Sequence, residues 1–139
     1  MKDDAILKLF LVDDDIVFLK LMEIEFQQQA DFSIETYASG ELCMRSISHN
    51  PDIVILDYNL NGLDKNAMNG LEVLHQIKAF NPDIQVVMLS SQDVLDVAIN
   101  SMANKAIDYV VKSETAFHRI QKIITTIVNF KKMENSPMW

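Results

Sequence analysis

Five short apolar runs rich in β-branched residues punctuate the chain: Ile6–Val12, Phe32–Tyr37, Ile53–Leu56, Ile84–Leu89 and Ile107–Val111. Where a run is apolar at consecutive positions, it has no solvent face. Such runs predict strands covered on both sides, as in a parallel sheet. Between the runs the spacing changes to that of a helix. Ile16, Leu19, Glu23 and Phe26 mark a first helix, in which apolar residues crowd almost every position, and Leu42 and Ile47 mark a short second one. Leu71, Leu74, Ile77 and Lys78 mark a third, and Val94, Val97, Ala98 and Met102 a fourth. The clearest stripe is the last: Phe117, Ile120, Ile123, Ile124, Ile127 and Phe130. Ser39 is placed to cap the second helix, and Ser113 to precede the fifth with Glu114 in its first turn. Pro51 and Pro82 stand before strands and stop the helices upstream of them. Strict alternation predicts an α/β fold, a (βα)5 doubly wound five-stranded parallel sheet with helices on both faces. The fold should occupy residues 1–131 as one domain. Residues 132–139, where periodicity fades and Pro137 appears, read as a C-terminal tail or truncated linker.

Composition narrows the options without adding an element. A chain of 139 residues, 49% hydrophobic and 23% charged, suits one globular domain. Twenty acidic against 12 basic residues give a net charge of −8, so the basic footprint of a nucleic-acid binder is missing. The single cysteine, Cys43, cannot form an internal disulfide, and its apolar surroundings suit a buried structural thiol in a reducing compartment. No apolar run reaches membrane-spanning length, and Met1–Asp4 does not resemble a secretory leader. A cytoplasmic protein with no membrane association is expected.

The chemistry lies where the strands end. In an open α/β sheet, ligands gather beyond the carboxyl ends of the strands. Here the first strand runs into Asp13-Asp14-Asp15, the third into Asp57, the fourth into Ser90-Ser91 and the fifth into Lys112. Carboxylates gathered at ~4 Å repel by roughly 1 kcal/mol per pair in water and several-fold more in a drier site. The set therefore calls for a counter-ion. Mg2+ suits it, because it takes oxygen ligands and keeps positions for water and phosphate. With Asp13, Asp14 and Asp57 around the metal and Lys112 as a second cation, Asp57 can act as a nucleophile toward phosphorus. Ser90 and Lys112 would then receive the phosphoryl oxygens. Asp15, just before an apolar helix, reads as its N-cap rather than as a ligand.

These segments resemble the CheY-like receiver domains of two-component response regulators, over roughly Ile6 to Lys131. The resemblance is carried by Phe10-Leu11-Val12-Asp13-Asp14-Asp15, Pro51-Asp52-Ile53-Val54-Ile55-Leu56-Asp57, Asn69-Gly70-Leu71-Glu72-Val73-Leu74, Val86-Val87-Met88-Leu89-Ser90-Ser91 and Asp108-Tyr109-Val110-Val111-Lys112. It implies a phosphorelay module, phosphorylated on Asp57 by a histidine kinase or histidine phosphotransfer protein. It also implies Mg2+ dependence, with the main-chain carbonyl of Asn59 joining the ligands. Ser90 and Tyr109 are the implied switch residues, and the surface of the fourth helix, fifth strand and fifth helix is the implied output face. Homodimerisation on phosphorylation is a further possibility. The chain would not be an enzyme beyond self-phosphorylation and autodephosphorylation.

Four positions depart from the usual pattern. Ser90 replaces the commoner threonine and keeps the hydroxyl. Ser91 replaces a smaller residue beside the acceptor. Ser113 replaces proline, so a cis bond there would cost ~2.5–4 kcal/mol and the turn is expected to differ. The segment Asn59–Met68 is several residues longer than usual and lacks the usual proline, which reads first as a surface insertion next to the acceptor. Two other functions fit parts of the pattern: a Mg2+-dependent small-molecule phosphatase or phosphotransferase working through Asp57, and a non-phosphorylated pseudo-receiver that only binds partners. His49, His75 and His118 have no metal-ligand spacing and read as surface residues.

Overall fold

The computed structural model describes residues 7–28, 32–91 and 95–134. The expected Ile6 and Val94 and the end of the tail, with Pro137, lie outside them. The strands are β1 (Leu7–Val12), β2 (Phe32–Tyr37), β3 (Ile53–Asp57), β4 (Gln85–Ser90) and β5 (Asp108–Val111). The helices are α1 (Ile16–Gln27), α2 (Gly40–Arg45), α3 (Gly70–Phe80), α4 (Leu95–Ala103) and α5 (Ala116–Glu134). All strand pairs are parallel and the order is β2-β1-β3-β4-β5. This is the doubly wound α/β sheet that the alternation predicts.

The consecutive apolar runs are explained by two cores, one on each face of the sheet. Leu9, Leu11, Ile53, Ile55, Val87 and Leu89 pack with Leu19, Met22 and Phe26 of α1 and with Ile120, Ile124 and Ile127 of α5. The intervening residues Phe10, Val12, Val54, Leu56, Val86 and Met88 pack with Cys43 of α2 and with Val73, Leu74 and Ile77 of α3. A β-strand turns successive side chains to opposite faces, so both parities must be apolar. Each fully buried aliphatic side chain contributes about 1.5–3 kcal/mol.

Local signals account for most helix starts. Asp15 caps α1, accepting the N–H groups of Val17 and Phe18. Ser39 caps α2 by accepting from Leu42. Asn69 and Glu72 form a reciprocal capping box at α3.

Several sequence expectations need correction. Ile47 belongs to a separate 3-10 turn, Ile47–His49, because α2 stops at Arg45 and the chain leaves the turn through Asn50 at φ 57°. Helix α5 begins at Ala116, so Glu114 precedes it; Ser113 instead shapes the turn by accepting from the Thr115 N–H. The same helix runs on to Glu134, so residues 132–134 of the expected tail are helical. Phe130 and Met102, expected on buried stripes, are exposed, and Val97 and Ser101 are the buried residues of α4.

Candidate functional site

After β1 the chain moves outward to β2, then returns across β1 to form β3 on its other side. The ends of β1 and β3 therefore diverge at a topological switch point, which leaves a crevice between their outgoing loops. Register fills that crevice with carboxylates. Val12 pairs with Leu56, so the next residues, Asp13 and Asp57, emerge side by side. Asp57 pairs with Leu89, and Ser90 follows one position further out. Ser90 in turn pairs with Val111, and Lys112 comes next. The Lys112 N–H donates to the Ser90 carbonyl at 2.8 Å.

Asp13 and Asp57 are almost wholly buried, whereas Asp14 is partly exposed. Each offers a carboxylate oxygen, and the three oxygens lie within 4.8 Å of one another. Lys112 Nζ lies 2.8 Å from Asp13 Oδ2 and 3.6 Å from Asp57 Oδ1, with the Phe18 ring beneath it at 4.6 Å from the centroid. The lysine thus leans toward Asp13 rather than standing on the far side of Asp57. Asp13 Oδ1 accepts the Asp15 N–H at 2.9 Å, and Asp57 Oδ1 accepts the Asn59 N–H at 3.3 Å.

Burial pushes the Asp57 carboxyl up to about 7, and the Asp13 charge pushes the same way; Lys112 and the Asn59 N–H oppose them. One lysine does not balance three carboxylates. For Lys112, burial alone would favour the neutral amine, but contact with Asp13 and the charges of Asp57, Asp13 and Asp15 outweigh it and raise its pKa.

This donor set fits a hard divalent cation, which takes carboxylate and carbonyl oxygens. Two further observations agree. Asn59 Oδ1 is buried without a hydrogen-bond partner. A Cβ placed on Gly62 would lie 3.5 Å from both the Asn59 carbonyl oxygen and Asp14 Oδ2, so these two oxygens border one small gap.

The remaining expected residues divide by face. Tyr109 is half-buried against the core on the α2–α3 side of the sheet. Alternation along β4, whose Val86 and Met88 belong to that core, gives the buried Ser90 the same side. Ser91 is exposed. The described residues contain no cis peptide bond, so the Lys112–Ser113 link is trans. His75 and His118 are exposed. His49 is also on the surface, but its Nδ1 lies 2.8 Å from Glu35 Oε1, a pairing across 14 residues that no local pattern announces. Cys43 is buried, which pushes its thiol up to about 12 and agrees with a structural role.

Comparison with known proteins places this site in context. The chain is 29% identical over 107 residues to the transcriptional regulatory protein QseB of Haemophilus influenzae, covering 76% of this chain and 46% of that protein. It is 27% identical over 139 residues to the transcriptional regulatory protein MalR of Bacillus subtilis, covering 92% of this chain and 57% of that protein. The chain therefore spans only about half the length of these relatives. Among solved structures, it superposes on a CheY-like response regulator receiver domain protein from Methanospirillum hungatei with a TM-score of 0.77 at 19% identity, covering 92% of this chain and 98% of that one. A DNA-binding response regulator of the LuxR family from Staphylococcus aureus gives a TM-score of 0.77 at 24% identity, covering 88% and 99%. At those identities the superpositions establish the fold. The family follows from the sequence model of the response regulator receiver domain, which matches residues 9–125, and the chain belongs to that family of two-component signalling proteins.

Proposed function

We propose that this receiver domain is a Mg2+-dependent phosphoryl acceptor, with Asp57 as the accepting residue and a histidine kinase or histidine phosphotransfer protein as the donor. The observation that carries the reading is the convergence of Asp13, Asp14 and Asp57 within 4.8 Å, with Lys112 in ionic contact with two of them.

In the proposed transfer an Asp57 carboxylate oxygen forms a bond to phosphorus as the phosphorus–nitrogen bond to the donor imidazole breaks. The imidazole nitrogen keeps the electron pair, and the product is an acyl phosphate. Asp13, Asp14, Asp57 and the Asn59 carbonyl would hold Mg2+, which supplies charge neutralisation at the phosphoryl oxygens. Lys112 lies 3.6 Å from the acceptor and can follow the new negative charge away from Asp13. Ser90 and Tyr109, on one side of the sheet, would couple the phosphoryl group to the output surface. A phosphoryl group adds ~1.5–2 negative charges and three strong acceptors, enough to redirect a hydroxyl and a cation.

Two surfaces support a role in protein signalling. Ile16, Val17, Leu21 and Ile24 are exposed along α1, which starts directly after the acidic loop, and offer the donor an apolar landing face. Leu95, Ile99 and Met102 are exposed on α4 at helical spacing, with Ile107 just before β5, as an output face requires. Among the described residues no helix is long and apolar enough to cross a membrane.

Intact-mass analysis after incubation with Mg2+ and acetyl phosphate tests the reading. The expected result is one phosphoryl adduct on the wild type, absent from Asp57→Asn and abolished by EDTA. A folded, Mg2+-binding wild type that takes no adduct would favour a pseudo-receiver. Continuous release of phosphate from small phosphate esters would favour the phosphatase reading.

A further inference from the structure

The long segment between β3 and α3 is fastened in a way that its length does not suggest. Its ends meet: the Gly70 N–H donates to the Tyr58 carbonyl at 2.9 Å, closing an Ω-shaped loop over residues 59–69. Near its start, Leu60 is only 2% exposed and sits in the α2–α3 core. Within it, Asp64 accepts the Asn66 N–H through its side chain and the Ala67 N–H through its carbonyl. Near its end, Glu41 of α2 accepts the Met68 N–H at 2.8 Å, a contact spanning 27 residues. Between these fixings, Gly62 stands against Asp14 Oδ2 and the Asn59 carbonyl oxygen. A cavity of about 380 Å³ opens between the loop and the start of α2, lined by Asp14, Ser39, Glu41, Leu60 and Asp64 among others.

We infer that Glu41 is a positioning residue for the metal half of the site. By fixing the loop at Met68, it holds the Asn59 carbonyl and Gly62 around Asp14, so that the loop forms a standing wall rather than a tolerated insertion. The bond has an ionised, partly buried acceptor, and such hydrogen bonds are stronger than neutral ones. Gly62 is the contact surface of that wall. A Cβ added to it would stand in ordinary contact, at 3.5 Å, with both oxygens, and none of the described glycines has a positive φ. The inference rests on the metal-dependent acceptor reading above.

The test combines hydrogen exchange of the metal-free protein with calorimetric titration of Mg2+, for wild type, Glu41→Ala, Glu41→Gln and Gly62→Ala. Glu41→Ala is expected to speed exchange at Met68 and its loop neighbours by about tenfold or more, and to weaken Mg2+ binding by about fivefold. Glu41→Gln is expected to keep exchange near wild type, because the amide oxygen accepts the same bond, and to bind Mg2+ within about threefold. Gly62→Ala should fold normally, keep the slow exchange and weaken Mg2+ binding, since the new methyl meets two ligand oxygens at contact distance. Unchanged exchange and Mg2+ affinity in Glu41→Ala would overturn the inference, as would a Glu41→Gln variant that loses as much as Glu41→Ala, because charge and not the clamp would then be responsible. These outcomes leave the acceptor reading intact if the wild type still binds Mg2+ and takes up phosphate. A wild type that binds no Mg2+ would overturn both.

Discussion

Replacing Asp57 by Asn should make the metal-free protein more stable, although it destroys the acceptor. Asp57 is 2% exposed and faces a second buried carboxylate, Asp13. Burial first, and the Asp13 charge second, move its pKa from 3.8 to about 7 in the folded protein. That difference corresponds to ~4 kcal/mol at most of folded-state cost for the ionised form. The direction is set by linkage. A carboxyl whose folded pKa is raised contributes stability while protonated in both states, below about pH 4, and loses that contribution as pH rises through about 7. Without Mg2+, wild-type stability should therefore fall between pH 5 and pH 8. An amide at residue 57 carries no charge at either pH. It can still accept the Asn59 N–H, and its own N–H can donate to Asp13. The Asp57→Asn variant should thus exceed wild type by roughly 2–4 kcal/mol at pH 8 and by much less at pH 5. Urea denaturation at both pH values, with EDTA present, measures the difference directly, and comparing variant with wild type cancels the contributions of groups common to both. Adding Mg2+ at pH 8 should stabilise the wild type preferentially, since only the native site binds it. An Asp57→Asn variant no more stable than wild type at pH 8, or an equal gap at both pH values, would refute the argument that buried like charge dominates this site.

Two further substitutions test how the scaffold positions the site. Gly70→Ala would place a Cβ 2.5 Å from the Asp57 carbonyl oxygen and 2.6 Å from Tyr58 Cα, both backbone atoms that cannot step aside; a loss of about 1–3 kcal/mol or more is expected by denaturation, together with slower phosphoryl uptake because the acceptor itself is displaced. Asp15→Ala removes the acceptor for two N–H groups at the start of α1 and should cost about 1 kcal/mol, with Mg2+ affinity by calorimetry changing far less than in Asp13→Asn, since Asp15 caps a helix and is not among the three converging carboxylates.

Much of this could be read along the chain because the signals were local. Asp15 and Ser39 act within three residues of themselves, and strands buried on both faces leave unbroken apolar runs. Misreadings arose where packing overruled periodicity. Met102 and Phe130 have helical spacing, yet no core covers them at their positions, and their helices bury Val97 and Ile127 instead. Ile47 has the spacing of a continuing helix, but the chain breaks at Ser46 into a tighter turn. Glu35 with His49, and Glu41 with Met68, leave no local signal because each pair joins elements distant in sequence.

By itself, then, the sequence determined the alternation of strand and helix, the two-sided burial of the sheet and the residues that leave each strand end, because side-chain period and capping chemistry are properties of neighbouring residues. Only the tertiary structure decided that β1 and β3 are adjacent, that their register sets Asp13 beside Asp57, that Lys112 leans to Asp13, and that Glu41 accepts the Met68 N–H across 27 residues. Those facts depend on which strands pair and how far each is shifted, and such choices are settled by the packing of the whole sheet rather than by any segment of it.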